Sequence, residues 1–325
     1  MTNNNAQLIK GFVKGKLRGT LKLFLNRSAL MRKLFRNKAY AASNSDYCYG
    51  VWMKHLKHWL TQNDQVPNTV LEIGCGNSLG VGLAALISGS SKFYALERTQ
   101  FWNNSTNLRV FDELVELFKL RKTSPDVYHC DNPTDEKKTN SFPSDVLNES
   151  HLKQCLSNER LQKIRKELER PDNPNNTFII SIIPWYNENQ VESNSVDLIC
   201  SHTVLQHVMD LDLAYISMQR WLKKGGYLSH TIDFKSMNTS SQWNGHWDYN
   251  EKEWRTVTGG VDLINREPVS KHYTLLEQYG FSIKFKKTIH MENQLPSSKL
   301  ATIFSSLNTT DLTTSGLYYF ANKRL

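Results

Sequence analysis

The chain has no apolar run near the ~18–20 residues that span a bilayer. Its longest early run is Leu23-Phe24-Leu25, so no secretory leader is expected either. It has no Cys-x-x-Cys, and its five cysteines (Cys48, Cys75, Cys130, Cys155 and Cys200) are odd in number and scattered. Neither a disulfide framework nor a zinc ribbon is indicated, and no spacing demands a metal. These absences fit a reducing, cytoplasmic setting. One further absence is local: residues 1–40 contain no acidic side chain.

Those forty residues hold ten Lys and Arg, from Lys10 to Lys38. The rest of the chain has 30 basic and 31 acidic residues, so the whole formal charge of +9 sits in the N-terminal segment. Leu17, Leu21, Phe24, Leu30 and Leu34 fall at helical spacing within it. A basic amphipathic helix over residues 1–45 can lie on an anionic membrane face. It can equally pack as a solvated helix; nucleic acid is the least favoured partner. The whole chain is 39% hydrophobic and 22% charged, and the remaining residues, 46–325, read as one domain.

Within that domain, Val70-Leu-Glu-Ile-Gly-Cys-Gly-Asn-Ser-Leu-Gly80 reads as a strand, a glycine turn and a helix. Glycine there lets backbone approach a ligand that a Cβ would block. A second short strand, Phe93–Leu96, ends at Glu97, where a carboxylate can accept both hydroxyls of a ribose. Together these describe a nucleoside-binding βαβ unit. Glu72, two residues before the turn, would repel a pyrophosphate but suits an ammonium. The open alternatives are a nicotinamide-dependent enzyme and a glycine turn in an ordinary α/β sheet.

At Glu72, Gly74, Gly76, Gly80 and Glu97 the sequence resembles the class I S-adenosylmethionine-dependent methyltransferases. The resemblance covers about residues 66–235 and 270–322. It implies an α/β, Rossmann-like, seven-stranded, mostly parallel sheet whose last strand is antiparallel. Strands are expected at 69–74, 92–97, 177–183, 196–201, 226–233, 281–287 and 316–322. Helices are expected at 46–60, 79–88, 209–222 and 270–279, with helical patterns around 111–120 and over 151–169. Two insertions, about 100–176 and 234–268, exceed a minimal fold.

The resemblance also implies that Asp197–Val208 ends a strand beside S-adenosyl-L-methionine, with Ser201 and His202 lining the cofactor and His207 facing the acceptor. Histidine suits removal of a hydroxyl proton near neutral pH. Asp233 and His230, at the end of the fifth strand, are the other candidate bases. They point to opposite faces, which favours Asp233. The third strand ends Ile183-Pro184-Trp185 without the family's usual Asp or Asn for adenine. Trp185, or the long insertion, is left to supply that contact.

The second insertion carries Trp243-Asn-Gly-His-Trp-Asp-Tyr-Asn-Glu-Lys-Glu-Trp254. Flat aromatic faces beside polar groups suit a sugar, so Trp243, His246 and Trp247 are candidate acceptor contacts. The same set can form a self-packed lid. From His230 through Ile264-Asn-Arg the sequence resembles methyltransferase-domain proteins of bacterial surface-polysaccharide biosynthesis. The expectation is thus O-methylation of a sugar, glycan or glycolipid precursor at the inner membrane face. Methylation of RNA or protein is the alternative, although an Asn/Asp-Pro-Pro-Tyr motif for base methylation is missing. A non-catalytic cofactor-fold scaffold is the third reading.

Overall fold

The structure, a computed structural model, describes residues 43–125, 139–292 and 294–324. The basic segment expected over 1–45 lies almost entirely outside the described residues, as does Cys130. In chain order the elements are α1 (Ser45–Leu60), β1 (Thr69–Ile73), α2 (Gly80–Ser88), β2 (Lys92–Leu96), α3 (Asn104–Lys119), α4 (Glu149–Cys155) and α5 (Asn158–Glu169). Then come β3 (Ile179–Ile182), β4 (Val196–His202), α6 (Leu211–Trp221), β5 (Leu222–Asp233), α7 (Glu251–Thr258) and α8 (Val269–Gln278). The chain closes with β6 (Phe281–His290), α9 (Thr309–Thr313) and β7 (Thr314–Lys323).

Local sequence explains these elements. All five residues of β1 are buried, because helices cover both faces and no alternation is needed. The apolar run of α2 is buried on every side. Asn44 caps α1 by accepting the Tyr47 amide at 3.0 Å. The pattern at 151–169 resolves into two helices, α4 and α5. Residues Lys223–Gly226 form a bulge inside β5: Val196 pairs with Leu222 and Leu198 already with Tyr227.

The seven strands lie in the order β3-β2-β1-β4-β5-β7-β6. β1 runs parallel to both β2 and β4, so the order reverses between β1 and β4. A crevice therefore opens beyond the carboxyl ends of these strands. β7 inserts antiparallel between β5 and β6. This is the seven-stranded sheet of class I methyltransferases, as expected from the sequence.

One face of the sheet packs α1, α2, α3 and α5 around Trp52, Phe93, Phe118 and Leu168. The other packs α6 and α8 around Tyr215, Trp221 and Leu275. A cap covers the carboxyl end of β5, built from two segments rather than the one expected. Trp247 of the second insertion shares a cluster with Leu295 and Leu312, from the β6–β7 connection. The Asn244 side chain joins the segments, donating to Leu312 O at 3.0 Å and accepting from Leu295 N at 2.7 Å.

Burial lowers His58 to about 4 and His230, His246 and His272 to about 3. It also holds His55 well below its ordinary range. The unfolded chain protonates these rings near pH 6.5 and the folded chain does not, so stability falls as pH drops below about 6.5. At about 1.36 kcal/mol per pH unit, each buried ring costs about 2 kcal/mol at pH 5. Several together approach the ~5–15 kcal/mol of a whole domain. We expect cooperative unfolding between about pH 5.5 and 4.5, followed by far-UV circular dichroism. A urea midpoint that stays flat from neutrality into this range would contradict it.

Candidate cofactor and acceptor site

Beyond Ile73 the chain turns through Gly74 and Gly76, with φ of +78° and +68°. These left-handed values favour glycine. Gly74 N–H donates to Leu96 O at 2.8 Å, tying the turn to the end of β2. A Cβ on Gly74 would meet the Val204 methyls at 2.5 Å. Gly80 is small for a different reason. A Cβ there would meet Cys48 Sγ at 2.4 Å, so this glycine lets α1 cross α2. Packing against Cys48 thus accounts for a glycine at 80 beside the cofactor contact expected of it.

Glu72 is 4% exposed, and its Oε2 has no hydrogen-bond partner among the described residues. Burial, reinforced by the charge of Glu97, pushes its carboxyl up to about 8. A buried carboxylate with an unused oxygen fits a cationic group. Glu97, at the tip of β2, accepts from Gly76 N at 2.7 Å through Oε1 and from Arg98 N at 3.2 Å through Oε2. Burial raises it to about 7. A carboxylate offers about four acceptor positions, so two remain for vicinal hydroxyls.

Trp185 N–H donates to Glu97 O at 2.9 Å, which carries the end of β3 alongside Glu97, the residue expected to meet the ribose. The Trp185 ring sits edge-on to Trp221 at 6.0 Å, turned to the core. A cavity of about 240 Å³ lies on the other side of β3, lined by Gln100, Trp102, Asn104, Asp172, Ser181 and Ile183. Trp102 Nε1 and Ser181 Oγ are buried there without partners among the described residues. With Pro171, five of the seven lining residues belong to the first insertion, which of the two sources expected for the adenine contact is the one that lines a cavity.

Ser201 and His202 are neighbours on a strand and face opposite sides. Ser201 Oγ lies 2.7 Å from His230 Nδ1, inside the sheet, and His230 stands 5.4 Å from the Tyr319 ring. Both are almost fully buried. The expected roles of Ser201 toward the cofactor and His230 as base are corrected: alternation buries both on the α6–α8 face.

His202 takes the other face, where its Nδ1 is 2.9 Å from Lys54 Nζ. Lys54, fully buried on α1, also reaches Thr231 Oγ1 at 2.6 Å and lies over the Tyr318 ring at 5.0 Å. Nothing in the sequence signals this contact, which spans 148 positions.

His207 sits in the turn Leu205–His207 and is exposed. Its Nδ1 is 2.6 Å from Leu263 O. A carbonyl only accepts, so Nδ1 carries the proton and Nε2 keeps its lone pair. Crowding by the chain lowers its proton affinity despite that carbonyl. Asp233, on β5, is engaged by Lys235 through the backbone amide at 2.9 Å and the ammonium at 3.5 Å. His207 is therefore better disposed than Asp233 to take a proton.

The tryptophan-rich segment is packed on itself. Trp247 is fully buried and donates to Arg266 O at 2.8 Å; His246 is 1% exposed with its ring 4.6 Å from Trp247. Direct acceptor contact by His246 and Trp247 is corrected accordingly. Trp243 stays half-buried, with Nε1 unpartnered among the described residues. Arg266 clamps the cap between the Trp254 and Phe304 rings, at 4.9 and 4.8 Å, and donates to Tyr249 O at 2.7 Å. Among the described residues no three His, Cys, Asp or Glu side chains are grouped to hold a metal.

A family model for the methyltransferase domain matches residues 146–230, from before α4 into β5. No curated protein matches the chain in sequence. Among solved structures, a SAM-dependent methyltransferase from Methanosarcina mazei is 14% identical, with 80% of this chain and 94% of that one covered and a TM-score of 0.41. Another from Mesorhizobium loti is 12% identical, with coverages of 83% and 98% and a TM-score of 0.38. The donor for this family is S-adenosylmethionine.

The raised carboxyl of Glu72 gives a measurable expectation. At pH 7 it is mostly protonated, and an ammonium placed beside it must displace that proton. Binding of S-adenosylhomocysteine should therefore release close to one proton and tighten as pH rises from about 6 to 8. Calorimetry in two buffers of different ionisation enthalpy measures this. Glu72→Gln should remove the release; release unchanged in that variant would separate Glu72 from the cofactor.

Proposed function

We propose that this S-adenosylmethionine-dependent methyltransferase methylates a hydroxyl oxygen of a sugar, glycan or glycolipid precursor. The observation that carries the reading is the tautomer of His207, which leaves an exposed lone pair on Nε2 beside the carboxyl end of β4. A neutral imidazole suits a hydroxyl proton near pH 7.

The chain's own residues fit the cofactor. Glu72 would hold its ammonium, Glu97 its ribose, and the cavity at Trp102, Asp172 and Ser181 its adenine. When bound, S-adenosylmethionine supplies a methyl group already activated on a sulfonium. The rest is alignment and proton removal. With the cofactor supplying the methyl group and keeping the leaving electron pair on its sulfur, His207 Nε2 would take the proton of the acceptor hydroxyl. The self-packed cap shields this step from water. Of its aromatics, Trp243 is the one left to meet a sugar face.

The membrane setting rests on the basic residues of 1–40. About 1 kcal/mol per basic residue near an anionic surface suffices for reversible attachment. Among the described residues no helix is long and apolar enough to cross a membrane. An acceptor on a lipid carrier would then be presented at the surface where the enzyme docks. The same basic arm would serve an RNA or acidic protein acceptor, which is the second reading.

The test has two stages. S-adenosylhomocysteine should bind with micromolar affinity, NAD should not, and Glu97→Ala should abolish binding. Loss of residues 1–40 should lower flotation with anionic vesicles while leaving that affinity intact. Unchanged vesicle binding would remove the membrane reading. Nucleic acid co-purifying with the full chain would favour the RNA alternative.

A further inference from the structure

The turn that carries His207 is not held by β4 alone. Asn265, in the cap segment, donates through Nδ2 to Leu205 O and to Val208 O, both at 2.8 Å. Its backbone N–H donates to Gln206 O at 2.8 Å. Two residues earlier, Leu263 O meets His207 Nδ1 at 2.6 Å. The cap thus contacts every residue from Leu205 to Val208. Gln206, buried beneath them, closes the turn on Thr203 O at 2.8 Å.

On the opposite side of the strand end, His202 is set by Lys54. An ammonium has no lone pair, so a Lys54 that donates to Thr231 Oγ1 and His202 Nδ1 makes Nδ1 an acceptor. The His202 proton then resides on Nε2. His207 has the reverse arrangement, with the proton on Nδ1 and the lone pair on Nε2. Two imidazoles five residues apart are held as opposite tautomers by partners from distant parts of the chain.

We infer that Asn265 and Lys54 are positioning residues for the methyl transfer: the Asn265 segment holds His207 as the proton acceptor, and Lys54 holds His202 as a hydrogen-bond donor. The inference rests on the reading of His207 as base and adds what fixes it. The base acquires its working tautomer from the cap, so a properly seated cap and a competent base are one condition. Lys54 is fully buried, and its contact with the strand end that carries the site is through His202 and Thr231.

The test is the tautomeric state of both rings in the intact protein with S-adenosylhomocysteine bound, read from long-range ¹H–¹⁵N spectra. His202→Gln and His207→Gln identify the two signals. We expect the proton on Nε2 of His202 and on Nδ1 of His207; the same tautomer in both would overturn the inference. Asn265→Asp keeps the Oδ1 acceptor that binds Glu267 N at 3.0 Å but removes both donors. It should scramble the His207 tautomer while His202 and the affinity for S-adenosylhomocysteine stay unchanged. A His207 signal indifferent to Asn265→Asp would remove Asn265 from the positioning role. Failure of S-adenosylhomocysteine to bind at all would instead fault the cofactor site.

Discussion

Val204 occupies the space that a side chain at Gly74 would need, 2.5 Å from where its Cβ would stand. That single exclusion joins the two halves of the site. It presses the exit of β4 against the exit of β1, so the glycine turn proposed to receive the cofactor and the turn proposed to present the base form one unit. Thr203, just before, adopts φ +55° and donates to Thr231 O at 2.8 Å, fastening the same exit to β5. A non-glycine residue at 74 would strain the backbone and displace Val204 together. His207, three residues beyond Val204, would move with it.

Charge is distributed around this junction with the same economy. Glu72 and Glu97 are buried on the β1–β2 side, and burial raises both carboxyls toward neutral pH. Lys54 is buried on the β4–β5 side. Desolvating three ionisable groups near one crevice opposes folding unless partners compensate. Lys54 finds His202 and Thr231, and Glu97 finds two backbone amides. Glu72 keeps an oxygen unused among the described residues, where a cation would complete the arrangement. Sites of this kind trade stability of the free protein for affinity toward the ligand.

Much of this was legible in the sequence because it is local. The glycine turn, the carboxylate 23 residues after Gly74, and the seven apolar strands each follow from short-range pattern. Strand alternation also reads correctly at Asp233 and His230, which were expected on opposite faces. The same rule, applied at Ser201 and His202, would have put one of them inside; the sheet buries Ser201 against His230. What could not be read is contact at long range. Lys54 meets His202 through the crossing of α1 over the sheet, and no periodicity encodes which buried lysine will end beside which strand tip. The tryptophans of the cap mislead for a related reason. Their partners Leu295 and Leu312 lie in the β6–β7 connection, so a reading confined to residues 243–254 leaves their apolar faces open and assigns them to a ligand.

The cap itself divides its work between adjacent residues. Arg266 looks inward, held between Trp254 and Phe304 and bonded to Tyr249 O, and gives the cap its own core. Asn265 looks outward and binds the turn at Leu205 and Val208. Arg266 takes φ +61°, a conformation that turns successive side chains in different directions. The strained residue therefore sits where the chain must change from building the cap to gripping the sheet. Because the two functions share one backbone, loss of the inner packing around Arg266 would release the outer grip of Asn265. The turn that carries His207, the proposed proton acceptor, is in this way sustained by a hydrophobic cluster that it meets through Leu263.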